Sequence, residues 1–263
     1  MSGPSRTDDP VRPVRAAGMA LAAVAIAVAH AAPAMCVLPA LAPWQPRRVP
    51  GVACRWRGRA GRRQVAVTFD DGPSPDTVLL LEPLRQLGMP ATFFLTGQRM
   101  ESQPDVAREL RSAGHQVGLH GFRHEHHLLR SPRWVADDLD RAVAVHRRVL
   151  GETPRWFRPP YGQLSAATVG AARRLGLETV LWSTWGREFA DPAPDRVLAR
   201  LVPRLTDGAV VLLHDSDGTS PPGTAAATRQ LLPLLAGALA RCGLTAVTLD
   251  ELVAPSGERP VRP

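Results

Sequence analysis

The chain of 263 residues contains no lysine, no asparagine, one isoleucine (Ile26) and three cysteines. Lysine, asparagine and isoleucine share AT-rich codons, so their scarcity reflects a GC-rich genome rather than a chemical requirement. Cys36, Cys54 and Cys242 are too few for a disulfide scaffold or a metal cluster of cysteines alone. No heptad or collagen period is present, and with 44% hydrophobic residues the chain is too apolar to be disordered throughout. What remains is enough for one domain of about 200 residues with its own core.

The formal charge of +8 comes from 32 basic residues, all arginine, against 24 acidic ones. The arginines are scattered, and basic–aromatic interleaving is confined to fragments such as Arg55-Trp56-Arg57. No nucleic-acid partner is expected from that pattern. Arg6, Arg12 and Arg15 precede an uncharged small-residue run from Ala16 to Ala29, followed by Ala29-His30-Ala31 and Ala32-Pro33-Ala34. That is the layout of an export signal over residues 1–34, either cleaved or retained as an N-terminal membrane anchor. Either outcome predicts a domain outside the cytoplasm, secreted or held at the outer face of the membrane or cell wall. A disulfide is permitted there. If Cys36 leaves with the signal, Cys54 and Cys242 remain, bridged or as two thiols.

Residues 35–63 are rich in proline and arginine without a sustained period and read as a linker. From Gln64 to Val253, short apolar strands alternate with amphipathic helices. Strands are expected at Val65–Phe69, Ala91–Thr96, Gln116–Leu119, Arg155–Phe157, Glu178–Trp182, Ala209–Leu213 and Leu244–Thr248. Helices are expected at Asp76–Leu87, Pro104–Ala113, Pro132–Leu150, Ser165–Leu175, Pro194–Thr206 and Thr224–Arg241. Gly88, Gly114, Gly151, Gly176 and Gly243 stand where helices end. Seven alternating strands imply a parallel sheet, as a distorted (β/α) barrel or an open doubly wound sheet, with chemistry at the C-terminal strand ends. The tail 254–263 reads as disordered.

Those strand ends carry unusual residues. Thr68-Phe69-Asp70-Asp71-Gly72 places two adjacent carboxylates that need a cation or separate hydrogen bonds. His120 and His124 have the i, i+4 spacing of paired imidazole ligands, with His126 and His127 as competitors for the second place. His115 and His146 lie outside this cluster and read as surface histidines. Arg158-Pro159-Pro160-Tyr161-Gly162 holds an arginine rigidly, and Leu212-Leu213-His214-Asp215 delivers an imidazole suited to proton transfer.

In this order the four motifs resemble those of the polysaccharide deacetylases (carbohydrate esterase family four, the chitooligosaccharide-deacetylase homology domain), over about Gln64 to Val253. The resemblance implies a distorted (β/α) barrel of about seven parallel strands as a single catalytic domain. It implies Asp71, His120 and His124 as ligands of a divalent metal, usually zinc. It also implies Asp70 as general base oriented by Arg158, His214 as general acid, and the Tyr161 backbone N–H at the oxyanion. Leu212, Tyr161, Trp185 and Phe189 would line the substrate site. The implied reaction removes N-acetyl groups from N-acetylglucosamine-containing glycans, peptidoglycan or chitooligosaccharide. The alternatives are an O-acetyl ester or another carbon–nitrogen bond, or a glycan-binding protein of weakened catalysis.

Two departures stand out. Gly121 follows the first ligand histidine where the family has Ser or Thr, which costs the loop a hydrogen bond. Glu188-Phe189 stands where the family has Asp-Trp, with Asp191 as a fallback partner for His214. No oligomeric state follows from the sequence.

Overall fold

The computed structural model describes residues 22–33, 48–49 and 52–255. The start of the expected export signal, Cys36, most of the tail and part of the expected linker lie outside the described residues. A helix covers 22–31, with Val24, Ile26 and Val28 exposed. Among the described residues no helix is long and apolar enough to cross a membrane.

The strands are β1 (Arg48–Val49), β2 (Val52–Arg55), β3 (Gln64–Asp70), β4 (Thr92–Leu95), β5 (Gln116–Leu119), β6 (Trp156–Phe157), β7 (Glu178–Val180), β8 (Thr184–Trp185), β9 (Val210–His214) and β10 (Thr245–Val247). The domain helices are α1 (Pro75–Gln86), α2 (Gly97–Ser102), α3 (Pro104–Ser112), α4 (Pro132–Leu150), α5 (Ala166–Arg174), α6 (Pro194–Leu201), α7 (Thr224–Arg241) and α8 (Leu249–Val253). All seven expected strands and six expected helices are present. Sequence patterning misses β1, β2, β8, α2 and α8, whose two to six residues are too few to show a period.

The sheet order is β1-β2-β7-β6-β5-β4-β3-β9-β8, with β10 beside β3. Every pairing from β2 to β8 is parallel. Only residues 181–183 separate β7 from β8. Leu181 donates its N–H to the Arg55 carbonyl on one edge, and Ser183 donates to the Val210 carbonyl on the other. One bent segment thus spans the gap between the two edges, which makes the sheet a distorted (β/α) barrel.

Alternation along the strands sorts side chains to two faces. Val65, Val67 and Phe69 of β3 join Phe93, Leu95, Val117, Val211 and Leu213 in the large core under the helices. Ala66, Phe94, Trp156, Val210 and Leu212 form a second cluster inside the barrel with Cys54, Trp56 and Trp182. Gly118 leaves room there: a Cβ would lie 2.8 Å from the Phe94 ring. The same parity turns Asp70, His120, Arg158 and His214 toward the barrel interior at the C-terminal rim. Register aligns them, pairing Asp70 with His214 and Leu119 with Phe157.

Helix ends follow the sequence punctuation. Ser131 caps α4 by accepting the Trp134 N–H, Pro132 takes the first turn, and Gly151 ends it at φ 71°. All five glycines expected at helix ends have positive φ.

The expected linker needs correction within its described part. β2 pairs with β7, and Trp56 is fully buried in the barrel cluster. Four residues, Val52-Ala53-Cys54-Arg55, are too few to show the alternation by which sequence alone reveals a strand. Cys54 and Cys242 are not bridged. Cys54 belongs to the barrel cluster and Cys242 to the helix-side core, on opposite faces of the sheet. Trp56→Ala is expected to destabilise the domain by about 3–5 kcal/mol through the cavity it leaves inside the barrel. Denaturant unfolding measures this, and a cost near that of a surface change would return residues 52–63 to a linker role.

Candidate active site

Arg158 directly follows β6 and is wholly buried, and a buried guanidinium must be fully partnered. Its Nη1 donates to Asp70 Oδ1 at 2.7 Å and to Thr68 Oγ1 at 2.8 Å. Its Nη2 donates to the Leu181 carbonyl at 3.0 Å, and the group stacks 4.1 Å over the Phe94 ring. Burial lowers the Arg158 pKa, an effect opposed by the Asp70 carboxylate. Asp70 Oδ2 remains turned toward the histidines, 3.7 Å from His120 Nε2.

Asp71 follows at φ 89°, a left-handed backbone that reverses the chain at the strand end. Its Oδ1 lies 3.5 Å from His120 Nε2 and 3.3 Å from His124 Nε2. Its Oδ2 accepts from Ser220 Oγ at 3.3 Å. Burial works against the Asp71 charge. The imidazoles of His214, His120 and His124, with the Thr219 hydroxyl, outweigh it and hold the carboxyl below its ordinary range. His120 Nδ1 sits 2.8 Å from the Arg158 carbonyl, which can only accept, so Nδ1 donates and Nε2 is turned toward Asp71. Burial and repulsion from His120 bring His124 down to about 4 against the pull of Asp71 and Asp70.

The ligand atoms of Asp71, His120 and His124 lie within 4.8 Å of one another, and Asp71 Oδ1 is buried without a hydrogen-bond partner. One carboxylate oxygen and two imidazole nitrogens, with one His oriented by a carbonyl, fit a divalent ion that keeps an open coordination position. His126 and His127 do not compete. His126 stacks on Tyr161 at 3.6 Å between ring centroids, and His127 is buried against Thr168 and Asp138.

The substitution at Gly121 is compensated from elsewhere. Gly121 sits at φ +77°, and a Cβ there would lie 3.1 Å from both the Arg123 carbonyl and Asp138 Oδ2. Asp138 of α4 fills that position instead, accepting the Phe122 N–H at 2.8 Å and the Arg123 N–H at 3.1 Å. Sequence reasoning missed Asp138, because its only signal is an acid on the buried face of an amphipathic helix. It also missed the Asp215 side chain, which accepts the Gly72 N–H at 2.9 Å and the Thr77 hydroxyl at 2.6 Å and so ties the Asp70-Asp71-Gly72 turn to β9. Burial raises the Asp215 carboxyl to about 7 despite those bonds.

His214 ends β9 with Nδ1 2.7 Å from Glu188 Oε1, and Glu188 is fully buried. Burial alone would lower the His214 pKa, but the bonded Glu188 carboxylate, with Asp71 and Asp70 behind it, raises it to about 9. The longer Glu188 therefore reaches the imidazole. The fallback Asp191 instead pairs with Arg196 at 2.7 Å and with Arg200. Phe189 meets His214 edge-on at 5.9 Å, Trp185 meets Phe189 at 5.4 Å and Trp182 meets Trp185 at 5.5 Å, forming one aromatic wall. Leu212 is buried with Trp182 and Trp185 packed in its cluster. Tyr161, at φ 58°, lies edge-on to His124 at 4.4 Å. Every site residue expected from the sequence thus gathers at this rim.

His115 and His146 require correction, since both are buried. His115 Nδ1 accepts the Ala91 N–H at 3.2 Å, and burial pushes it down to about 4. His146 Nδ1 lies 3.1 Å from the Glu152 carbonyl. Isolated histidines on helix or strand starts give no burial signal in sequence.

Fold and site define a class: a parallel (β/α) barrel hydrolase with a three-ligand cluster, a second carboxylate and a raised-pKa imidazole at one rim. The polysaccharide deacetylase profile matches residues 57–180. A chitooligosaccharide deacetylase of a Bradyrhizobium species is 34% identical over 188 residues, covering 67% of this chain and 86% of the relative. A peptidoglycan-N-acetylglucosamine deacetylase of Bacillus cereus is 33% identical over 202 residues, covering 75% and 92%. The solved structure of the Bc1960 peptidoglycan N-acetylglucosamine deacetylase superposes at TM-score 0.73 with 26% identity, covering 82% of this chain and all of that one (100%). The chain belongs to the polysaccharide deacetylase family.

Divalent-ion content checks the cluster. His120→Ala and Asp71→Ala are expected to abolish stoichiometric uptake, while His126→Ala retains it. Asp138→Ala is expected to weaken affinity about 10–100-fold by freeing the loop between the two histidines. Full metal content in Asp71→Ala would overturn the ligand set.

Proposed function

We propose that this protein is an exported, metal-dependent hydrolase that removes N-acetyl groups from N-acetylglucosamine-containing glycans, with zinc as the ion. The observation that carries the reading is the arrangement around one three-ligand cluster. At the same rim, a carboxylate is held by Arg158 and an imidazole is held by Glu188. Kinship to deacetylases of chitooligosaccharide and peptidoglycan supports the substrate class. The export pattern before the domain supports action outside the cytoplasm, where such glycans are found.

An amide resists hydrolysis because its carbonyl is a poor electrophile and its amine a poor leaving group. A divalent ion held by Asp71, His120 and His124 supplies Lewis acidity, lowering the pKa of water and polarising a carbonyl oxygen. Asp70, held by Arg158 through Oδ1, presents Oδ2 to take the proton from the attacking water. As water oxygen bonds to the carbonyl carbon, negative charge collects on the carbonyl oxygen, beside the Tyr161 N–H. A well-placed donor there contributes about 3–4 kcal/mol. His214, protonated at neutral pH by virtue of Glu188, gives its proton to the nitrogen as the carbon–nitrogen bond breaks. Acetate and a glucosamine-type amine result. Leu212 and the Trp182–Trp185–Phe189 wall exclude water from the acetyl methyl.

Acetate release from N-acetylglucosamine oligomers tests the reaction. Release that stops with chelator and returns with zinc is expected, and Asp70→Asn should be folded and inactive. Release from acetylated xylan alone would favour ester hydrolysis instead. A pH profile tests the acid. Glu188→Gln removes the charge that favours the imidazolium, so the alkaline limb should move down by about one to three units. An unmoved limb would remove Glu188 from that role.

A further inference from the structure

We propose that Arg187 forms an anion subsite beside the reacting centre, selecting glycans that carry a carboxylate on the sugar next to the N-acetylated one. This rests on the deacetylase reading above and narrows its substrate class to acidic glycans. The Arg187 guanidinium lies 5.2 Å from the Trp185 ring centroid. Trp185 contacts Phe189, and Phe189 contacts His214. Arg187 therefore stands three contacts from the expected acid, one residue before the glutamate that holds it.

Most arginines of the rim and nearby helices are already paired. Arg158 holds Asp70, and Arg196 and Arg200 share Asp191. Glu188 is committed to His214. Among the described residues, no carboxylate lies within ion-pair distance of the exposed Arg187, and its one side-chain contact is the indole.

The backbone adds an independent sign. Among the described residues, four that are not glycine have positive φ: Arg63, Asp71, Tyr161 and Arg187. Asp71 and Tyr161 belong to the site. Arg63 has a structural reason, since its side chain caps the carbonyls of Gly243 and Cys242 at the end of α7. Arg187, at φ 56°, makes a turn whose hydrogen bonds, from the Ala190 N–H at 3.0 Å and the Asp191 N–H at 3.2 Å to its carbonyl, fix where its side chain leaves the loop.

Chemistry then names the ligand. A guanidinium lying on an indole is held in one plane, which keeps its N–H fork available for a planar anion. A carboxylate takes that fork with two parallel hydrogen bonds. Chitooligosaccharides carry only neutral groups beside the acetamide. Where the stem peptide has been removed from a peptidoglycan strand, the alternating sugar carries a free lactyl carboxylate, and that group is the one the fork fits.

The test compares three substrates by acetate release: N-acetylglucosamine oligomers, N-acetylglucosamine–N-acetylmuramic acid oligomers with the carboxylate free, and the same oligomers with it amidated. The wild type should prefer the free acid over the amide by about tenfold in kcat/KM, carried by KM, the size of one charge-assisted contact. Arg187→Gln should bring that ratio near one, and Arg187→Lys should restore part of it, weakened by added salt. A wild type without the preference, or a preference untouched by Arg187→Gln, overturns the subsite. So does a preference lost in Arg123→Gln and kept in Arg187→Gln. Acetate from none of the substrates would instead strike the deacetylase reading. The subsite would then be decided by direct binding: Arg187-dependent affinity for the acid over the amide upholds it, and equal affinity ends it.

Discussion

A buried cation organises this molecule. Arg158 lies inside the barrel with no exposure to water, so every donor of its guanidinium must find an acceptor. Its four acceptors come from two other places: Asp70 and Thr68 on β3, and the carbonyls of Val180 and Leu181 where β7 turns toward β8. Its own carbonyl receives the Nδ1 proton of His120. One residue therefore aims a carboxylate with its side chain and fixes the tautomer of a metal-type ligand with its backbone. Removing one partner of such a pair costs about 3–5 kcal/mol, because the other charge is left buried. The barrel's closing segment and its chemistry thus share one set of bonds.

The second constraint is parity. Side chains alternate along a strand, and parallel register keeps equivalent positions level across neighbours. Asp70, His120, Arg158 and His214 all fall on the inward parity of their strands and close to one level. A shift by one residue in β3 would send Asp70 outward among the helices and bring Phe69 into the site. The apolar helix-side core, with Val65, Val67 and Phe69 on the same strand, resists that shift.

The two departures from the family pattern show how a site can be kept by residues outside its motifs. Gly121 gives up a side chain in a backbone conformation that favours glycine, and Asp138 from α4 supplies the missing brace through two backbone N–H groups. Glu188 is one methylene longer than the expected aspartate and still meets His214 at hydrogen-bond distance. In the first case the acceptor comes from another helix, and in the second a longer side chain reaches from the same position.

The alternation of apolar strands and helices, the helix-ending glycines and the acids and histidines at strand ends were all legible in the sequence, because each rests on local periodicity or on a few adjacent residues. The seven strands and six helices follow from that. So does the set Asp70, Asp71, His120, His124, Arg158, Tyr161 and His214, once the four motifs are taken together. Folding in three dimensions decided what has no local signature. It built β2 and Trp56 into the barrel, buried His115 and His146, and chose His124 over His126 as neighbour of Asp71. It also brought Asp138 and Asp215 to brace the two loops, and left Arg187 exposed at the rim with no ion-pair partner among the described residues. These outcomes depend on which surfaces meet across scores of intervening residues, and such meetings are set by packing and register, which no short stretch of chain encodes.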